Sequence, residues 1–514
     1  MTSSAKGPFV RESSGLVKQV SMTDAVMINF GNMSAGVALY TGITPYVMPG
    51  SNLVLASIIA FLASLPQAYV YTHFITKVPR TGGDYVWLSR FLNGYIGSIM
   101  AIILLVESTA YFALTAFFAS TAINNVLTEV GVLYNNQALV NLAKQVDPYT
   151  DPLTAFAIGA LAFGIIVALN ILRARWGFKL ITAFGVLSAI GTLSAFVVLL
   201  ANLNNFSASL PSVENLMNVT VTNQQYSHNL SDTLFMIPFL ALFTYPWMQA
   251  GPAIAAEIRG KNAVKYNVII ALLITFVVVT GGFAVMYALG GYSLITQLYM
   301  NTGYGNPPYF IPFTFWTVAM LLAKNELLSL IIGLGLISWE FFILAYGVMV
   351  FSRYVFAMAF DRVLPDKLAE VHPRTGSPVY AHLLDLILTV LLLGYITFIG
   401  AENALALYGM TFLAALYFAL VGIAGIVHSI KSEKNPILLI ASIIMFGYFA
   451  YLTYVSATNP DFGFMQPNGT PNRLTLDFVI GALMFSVGLV LAMYFYRKRQ
   501  GIDISLAYKY IPPE

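Results

Sequence analysis

Two glutamates stand alone inside long apolar stretches of this 514-residue chain. Glu107 lies in "ILLVESTAYF" and Glu340 in "LISWEFFILAYG". Counted from Gly94 and Arg353, each is about 20 Å of helix rise from a polar boundary, in a hydrocarbon layer about 30 Å thick. A carboxylate at that depth must be neutral, paired or hydrated. It could accept a proton or face a cationic ligand. The structural alternative is a protonated glutamate hydrogen-bonded to a neighbouring helix.

Two other apolar stretches contain helix breakers at mid-depth. The first is "INFGNMSAGVALYTG", with Ser34, Ala35 and Gly36, and the second is "FLALFTYPWMQAGP", with Pro246 and Pro252. Irregular backbone at membrane depth occurs only where protein or a water-filled cavity satisfies its polar groups. One such break could be an ordinary kink. Two breaks in corresponding positions, five spans apart, predict a ligand site between repeats.

The chemistry of the two breaks is complementary. Amides following Ser34-Ala35-Gly36 lie at the start of a half-helix and would suit a carboxylate. Carbonyl groups freed at Phe243, Thr244 and Tyr245 would suit an ammonium group. A ligand that carries both charges is an α-amino acid.

The composition indicates a polytopic membrane protein. Hydrophobic residues make up 58% of the chain, charged residues 9%, and the mean hydropathy is +0.77. The chain has no cysteine, which excludes disulfides, thiol catalysis and cysteine-based metal sites. Apolar windows predict an all-α fold with 12 transmembrane helices, at 24–48, 52–77, 94–126, 153–172, 177–202, 232–257, 267–290, 326–352, 379–399, 403–428, 436–456 and 475–496.

Charge predicts the orientation of these spans. With the N-terminus inside the cell, every Lys and Arg falls on the cytoplasmic side except Lys144, Lys324 and Arg473. The sequon at Asn32 lies within the first span, and we expect it to be unmodified. Both chain ends are predicted to be cytoplasmic, in a plasma membrane protein. Four further glycosylation sequons then fall on outer loops: Asn205, Asn218, Asn229 and Asn468.

Three motifs resemble the amino acid-polyamine-organocation superfamily of permeases. They are "VPRTGGDYVW" (78–87), "AAEIRG" (255–260) and the long stretch "SRYVFAMAFDRVLPDKLAEVHPRTGSPV" (352–379). The last motif follows span 8 in that family and is the most specific of the three. The resemblance extends in weaker form over about residues 20–430.

The resemblance implies a five-plus-five inverted-repeat core of LeuT type, with broken helices 1 and 6 and two peripheral helices. It divides the chain into the following parts: a cytoplasmic tail (1–23), the first repeat (24–202), an extracellular loop (203–231), the second repeat (232–428), peripheral spans 11 and 12 (429–496) and a cytoplasmic tail (497–514).

The resemblance also implies roles for residues. The family's Gly-Ser-Gly motif of span 1 matches Ser34-Ala35-Gly36, whose amides would hold the substrate carboxylate. Counting back from Glu257 aligns Phe243, Thr244 and Tyr245 with the family's aromatic-small-Tyr segment. Trp247 departs from the usual pattern, which often has a small residue there, and could gate or shrink the pocket. Substrate size therefore stays open.

Ion coupling is left open by the sequence. Glu107 resembles an acidic position of the family's cationic amino acid branch, which favours Arg, Lys or ornithine as substrate. Sodium-coupled relatives carry a Ser/Thr pair on span 8, where this chain has Phe341 and Phe342. Proton-coupled members often carry a lysine on span 5. The corresponding position here is near Thr192, and span 5 has no basic residue after Lys179. Glu340 could substitute as a proton acceptor, or the protein could be an uncoupled exchanger.

The sequence favours a secondary amino acid permease that needs no cofactor or metal. Alternatives are a polyamine transporter, an amino acid exchanger, and a non-transporting amino acid sensor built on the permease fold. An enzyme is disfavoured because no HExxH, Gly-x-Ser-x-Gly or phosphate-binding motif occurs. Nucleic acid is not expected as a partner, and the oligomeric state is not predicted. We also expect His382 and Asp385, one helical turn apart, to pair.

Overall fold

The chain folds as a bundle of apolar helices. The computed structural model describes residues 8–399 and 405–513, and within them β-pairing is limited to isolated bridges. Ten helices of the described residues are long and apolar enough to cross a membrane. The predicted start of a span at 403 lies outside the described residues. The count of twelve is therefore not settled by these ten helices and the two broken segments.

The α-helices are, in chain order, α1 (Met22–Asn32), α2 (Ala35–Val37), α3 (Leu53–Lys77), α4 (Gly83–Phe91), α5 (Gly94–Leu133), α6 (Gln137–Gln145), α7 (Pro152–Leu172), α8 (Ala174–Ala201), α9 (Phe206–Met217), α10 (Leu230–Phe235), α11 (Ile237–Phe243), α12 (Ala250–Ala253), α13 (Lys261–Thr302), α14 (Phe315–Leu322), α15 (Glu326–Phe360), α16 (Val379–Ile399), α17 (Thr411–His428), α18 (Pro436–Thr458) and α19 (Arg473–Arg499). Short π or 3₁₀ turns occupy Ala38–Gly42, Thr44–Tyr46, Ala255–Glu257, Asp366–Ala369, Leu405–Met410, Ser429–Glu433, Pro460–Phe462 and Ile504–Lys509.

Several helices are longer than the apolar windows that predicted them. Helix α5 continues to Leu133 rather than 126, and α15 continues to Phe360 rather than 352. Helix α13 runs past the predicted end at 290 through a kink at Gly291, whose φ is 75°. A hydropathy window ends where lipid would end, whereas a helix continues as long as neighbouring helices pack against it.

The helix breaks predicted near residues 34 and 246 are present. Between α1 and α2 the chain turns at Ser34, which has the left-handed backbone angles φ 49° and ψ 39°. Between α11 and α12 it is non-helical from Thr244, with φ −138° and ψ −77°. Both segments are buried among the longer helices.

Side-chain amides satisfy part of the backbone that the second break frees. The Asn32 amide donates to the Trp247 carbonyl oxygen at 2.8 Å, and the Gln67 amide donates to that of Pro246 at 2.8 Å. Asn29 accepts from the backbone N–H of Gly251 at 2.8 Å. A broken helix in lipid needs such internal partners, because no water is there to replace them.

Two helices cross at backbone contact. A Cβ atom added to Gly191 of α8 would lie 2.4 Å from the Cα atom of Gly335 of α15. Only glycine at both positions permits this approach, so α8 and α15 pack directly against one another.

The two ends of the bundle differ in chemistry. We call the end that carries Arg90, Arg353 and Arg497 the arginine end, and both tails pack there. The N-terminal tail bonds to the Glu257 carbonyl oxygen through the backbone of Val20 at 2.9 Å. The C-terminal tail accepts a bond from Arg80. The opposite end, where the hydroxyls of Tyr46 and Tyr304 are 2.7 Å apart, is called the tyrosine end.

Candidate substrate site

Two cavities meet beside the broken segments. The first is lined by Glu107 and Trp247 among others; we call it the Glu107 cavity. The second includes Glu340 and Tyr46 in its wall and is called the Glu340 cavity. Three aromatic residues line both cavities and therefore stand between them: Tyr111, Phe243 and Tyr408.

The two predicted carboxylates each line one of these cavities. Glu107 is 7% exposed and Glu340 is 3% exposed. Within residues 8–399 and 405–513, neither carboxylate forms a hydrogen bond or an ion pair. The alternative of a glutamate hydrogen-bonded to a neighbouring helix is thus not the observed arrangement. A buried carboxylate without a partner is costly, and a bound proton or a cationic ligand would remove that cost.

The first break reaches the cavities through its serine. The Ser34 hydroxyl lies 3.3 Å from the Tyr111 hydroxyl, which faces both cavities. Ala35 is fully buried. Gly36 packs against the Trp339 indole, since a Cβ atom there would lie 2.2 Å from it, and its carbonyl accepts from the Trp316 indole at 2.9 Å. Ala35 and Gly36 therefore set the path of the backbone beside the cavity wall.

The second break contributes two aromatic walls. Phe243 lines both cavities, and Trp247 lines the Glu107 cavity, where its indole N–H is held by the Leu242 carbonyl at 2.6 Å. Thr244 is buried and its hydroxyl finds no hydrogen-bond partner in the described chain. The Tyr245 hydroxyl bonds to that of Ser57 at 2.6 Å, away from these cavities.

The carbonyl groups predicted to be free are also without donors. No described residue donates a hydrogen bond to the carbonyl oxygens of Phe243, Thr244 or Tyr245. The break thus leaves acceptors unused next to Phe243. An ammonium group is a donor that such acceptors could hold.

The sequence did not predict the surroundings of three buried polar residues. Asn32 and Gln249 line the Glu107 cavity, and their side chains bond to each other at 3.1 Å. Glu129 is completely buried with neither carboxylate oxygen hydrogen-bonded in the described chain. It was missed because the predicted third span ended at 126, three residues before it.

One predicted pair is wrong. Both ring nitrogens of His382 and the second carboxylate oxygen of Asp385 lack hydrogen-bond partners in the described chain. The first carboxylate oxygen of Asp385 instead accepts from Thr389 at 3.3 Å. One-turn spacing brings side chains near each other without fixing their rotamers.

All four outer sequons lie on exposed residues. Asn205 and Asn229 precede α9 and α10, and Asn468 lies in the turn before α19. The Asn218 amide donates to the Pro307 carbonyl at 2.8 Å. Helix directions put the four at the tyrosine end. Exposure leaves all four open to modification.

The fold is a bundle of long apolar helices, and two broken segments lie beside cavities in its interior. These features are typical of a multi-pass membrane permease. The family model described as "Amino acid permease" matches residues 20–492, and the chain belongs to that family, within the amino acid-polyamine-organocation superfamily. The chain is also 26% identical over 369 residues to a protein of Arabidopsis thaliana named "Cationic amino acid transporter 5". That match covers 70% of this chain and 57% of the plant protein.

Proposed function

We propose that the protein is a secondary active transporter that moves amino acids by alternating access. Membership of the amino acid permease family supports the class of substrate. The observation that carries the proposal is the Glu107 carboxylate, which has no partner among the described residues and lines a cavity beside the second helix break. An anion in that position suits a cationic side chain, and the name of the plant relative supports the same preference.

In this proposal the substrate backbone lies between the two breaks. Its carboxylate faces the amides after Ser34-Ala35-Gly36, as the family resemblance implies. Its ammonium group faces the carbonyl oxygens of Phe243 and Thr244, which lack donors. Trp247 limits the length of the side chain, because the bond from its indole to Leu242 holds it against the Glu107 cavity.

We further propose that the arginine end is cytoplasmic. The excess of Lys and Arg at that end supports this orientation, and the exposed sequons at the other end agree with it. Ten spans in two inverted repeats, residues 24–202 and 232–428, and two peripheral spans in residues 429–496 would then lie in the plasma membrane. Spans 1, 2, 6 and 7 would rock against the remainder to switch access.

Glu340 is proposed as the coupling or charge-selecting carboxylate. It lines the cavity nearer the tyrosine end and has no partner among the described residues. A proton taken up from that side would neutralise it before the substrate site closes. No sodium-type hydroxyl pair stands at Phe341 and Phe342.

A polyamine is the second candidate substrate. The specific observation in its favour is that two adjoining cavities each carry one unpartnered carboxylate, Glu107 and Glu340. A chain with an ammonium group at each end could pair with both. It would not need the amides after Ser34, whereas an amino acid would.

The test is uptake of labelled arginine, leucine and putrescine into proteoliposomes, with an inward proton gradient imposed or collapsed. Glu107→Gln should raise the KM for arginine at least tenfold and leave that for leucine within twofold. Glu340→Gln should abolish gradient-driven uptake while counterflow persists. Preference for putrescine over arginine would support the polyamine alternative. Counterflow without dependence on the gradient would indicate an exchanger, and ligand binding without flux would indicate a sensor and refute the transport proposal.

A further inference from the structure

Asp84, in the first turn of α4, carries a buried carboxylate that three tyrosines surround. The Tyr71 hydroxyl donates to one carboxylate oxygen at 2.7 Å. The hydroxyls of Tyr417, at 2.9 Å, and of Tyr354 donate to the other oxygen. Asp84 is fully buried, and no Lys, Arg or His of the described chain forms an ion pair with it. Among the side chains of the described residues, only hydroxyl groups hydrogen-bond to its carboxylate.

The three donors come from three separate helices. Tyr71 lies on α3, Tyr354 on α15 and Tyr417 on α17. In the proposed transport cycle α3 belongs to the moving group of spans, whereas α15 and α17 belong to the remainder. The two oxygens of Asp84 thus join both sides of the boundary along which the protein would have to open.

Helix α4 is also fixed to the second broken segment. The Gly82 N–H donates to the Ala253 carbonyl oxygen at 2.9 Å. A Cβ atom at Gly83 would lie 2.6 Å from the backbone of Pro252, and Gly83 has a φ of 44°. Glycine is needed there both for the backbone angle and for the close approach. Separation of α12 from α4 would therefore disturb Asp84 directly.

The charged side chains of the same end are occupied with one another. Arg353 pairs with Glu257, and Arg90 pairs with Asp361. Tyr85, the neighbour of Asp84 on α4, donates to Asp361 at 2.7 Å. Of the side chains that the structure describes, only those of Tyr71, Tyr354 and Tyr417 hydrogen-bond to Asp84, through neutral hydroxyls. This distinguishes it from the ion pairs that close the end.

We propose that Asp84 is a positioning residue that latches the arginine end shut, and that a proton bound to Asp84 strengthens the latch. This rests on the proposed alternating access. Burial raises the pKa of Asp84 to about 6, although the three tyrosine hydroxyls lower it in part. An opened, hydrated Asp84 would return to an ordinary pKa of about 3.8.

The sign of the pH effect follows from these two values. Because the pKa is higher in the shut state, the shut state binds the proton more tightly, so acid favours closure. The effect is full below the ordinary pKa and is lost as the pH rises through about 6. Between pH 7.5 and pH 5 the shut-to-open ratio should rise about tenfold.

The experiment uses the absence of native cysteine. The reporter is a single cysteine introduced by Ala253→Cys. Ala253 is buried behind α4, so this cysteine would react with a maleimide only when the arginine end opens. Its labelling rate in nanodiscs is divided by that of the exposed Lys431→Cys, which corrects for thiol ionisation. We expect the corrected rate to be about tenfold lower at pH 5 than at pH 7.5.

Variants of Asp84 and of neighbouring tyrosines test whether Asp84 causes the pH dependence of labelling. Asp84→Asn removes the charge and offers one amide oxygen with two acceptor sites and one NH2 group with two donors, so labelling should be slow and independent of pH. Asp84→Ala leaves three buried hydroxyls without an acceptor and should label about tenfold faster or more at both values. Tyr417→Phe, which removes one donor, should give a several-fold increase and serves if the alanine variant does not fold. Tyr85→Phe, the matched control on α4, should keep the wild-type pH response.

Two results would overturn the latch. One is a wild-type pH response in Asp84→Asn, and the other is wild-type labelling in folded Asp84→Ala or Tyr417→Phe. Labelling does not require transport, so the two proposals fail separately. If labelling of the reporter depends on pH but the protein shows no flux, the latch is supported and transport is refuted. If flux is normal but labelling does not respond to pH, transport is supported and the latch is refuted.

Discussion

Arg353 and Glu257 face each other across the arginine end in a doubly hydrogen-bonded ion pair that no solvent reaches. The Arg353 Nε and Nη2 atoms lie 2.7 and 2.9 Å from the two carboxylate oxygens of Glu257, and both side chains have zero exposure. The pair joins α15 to the 3₁₀ turn that follows α12. Two residues from separate motifs of the sequence, 352–379 and 255–260, thus meet in space.

Loss of one partner should be costly. Arg353→Met would leave the Glu257 carboxylate buried and unpaired, which typically lowers the free energy of unfolding by about 3–5 kcal/mol. We expect a fall in the thermal unfolding midpoint in detergent, partly restored by the double variant Arg353→Met with Glu257→Gln. Arg473→Met is the control, because Arg473 is 95% exposed and its 4.0 Å pair with Asp477 should contribute about 0–1 kcal/mol. Equal effects at positions 353 and 473 would contradict this.

Gly36 should not accept a methyl group. Its added Cβ atom would overlap the Trp339 indole, so Gly36→Ala should cost about 1–3 kcal/mol through overpacking and displace the first break. Gly488→Ala on α19 meets no atom within 4 Å and should leave the unfolding midpoint unchanged or slightly higher. The comparison is made on both variants in one detergent. An unaffected Gly36→Ala protein would show that Trp339 moves freely.

The bond between Tyr46 and Tyr304 should slow opening at the tyrosine end. Tyr46→Phe removes the 2.7 Å hydroxyl contact but keeps the ring stacked on Phe239, with 4.6 Å between centroids. A net loss of about 0.5–1.5 kcal/mol corresponds to a two- to tenfold faster labelling of a cysteine at Thr41, which lines the Glu340 cavity. Tyr46→Ala should be faster still. If Tyr46→Phe labels no faster than the wild type, the hydroxyl contact does not limit access.

Sidedness can be tested without transport. In intact cells, an impermeant maleimide should label Asn468→Cys but label Lys431→Cys only after permeabilisation, because the proposed orientation puts position 431 in the cytoplasm. Both positions are exposed, so accessibility of the side chain itself does not differ. The opposite pattern would invert the orientation and move the proposed proton entry to the other side.

The features that depend on local sequence pattern were predictable: the membrane class, the two helix breaks and the two isolated glutamates. Composition indicates the membrane class, and the prolines and small residues predict the two breaks because their effect on the backbone is local. Glu107 and Glu340 were recognised because an isolated carboxylate in an apolar stretch is costly wherever it points.

Long-range contacts were not predictable. Asn32 was taken only as an unused sequon, yet its amide bonds to Trp247, 215 positions away. Asp84 stood within a quoted motif, but its role depends on hydroxyls from three helices that only the fold brings together. Glu129 lay beyond the predicted end of the third span at 126, since the apolar window ends before the helix itself does.

The crossing of Gly191 and Gly335 bears on how the molecule can move. Where two backbones touch, no side chain lies between them whose rotamer could change, and a slide of even one residue would bring bulkier neighbours into collision. We therefore expect helices α8 and α15 to move as one rigid body. Because α15 carries both Glu340 and Arg353, the cavity carboxylate and the buried ion pair keep a fixed separation while other helices shift. A displacement of α15 at one end of the bundle would then displace its other end as well, because the helix between them does not deform.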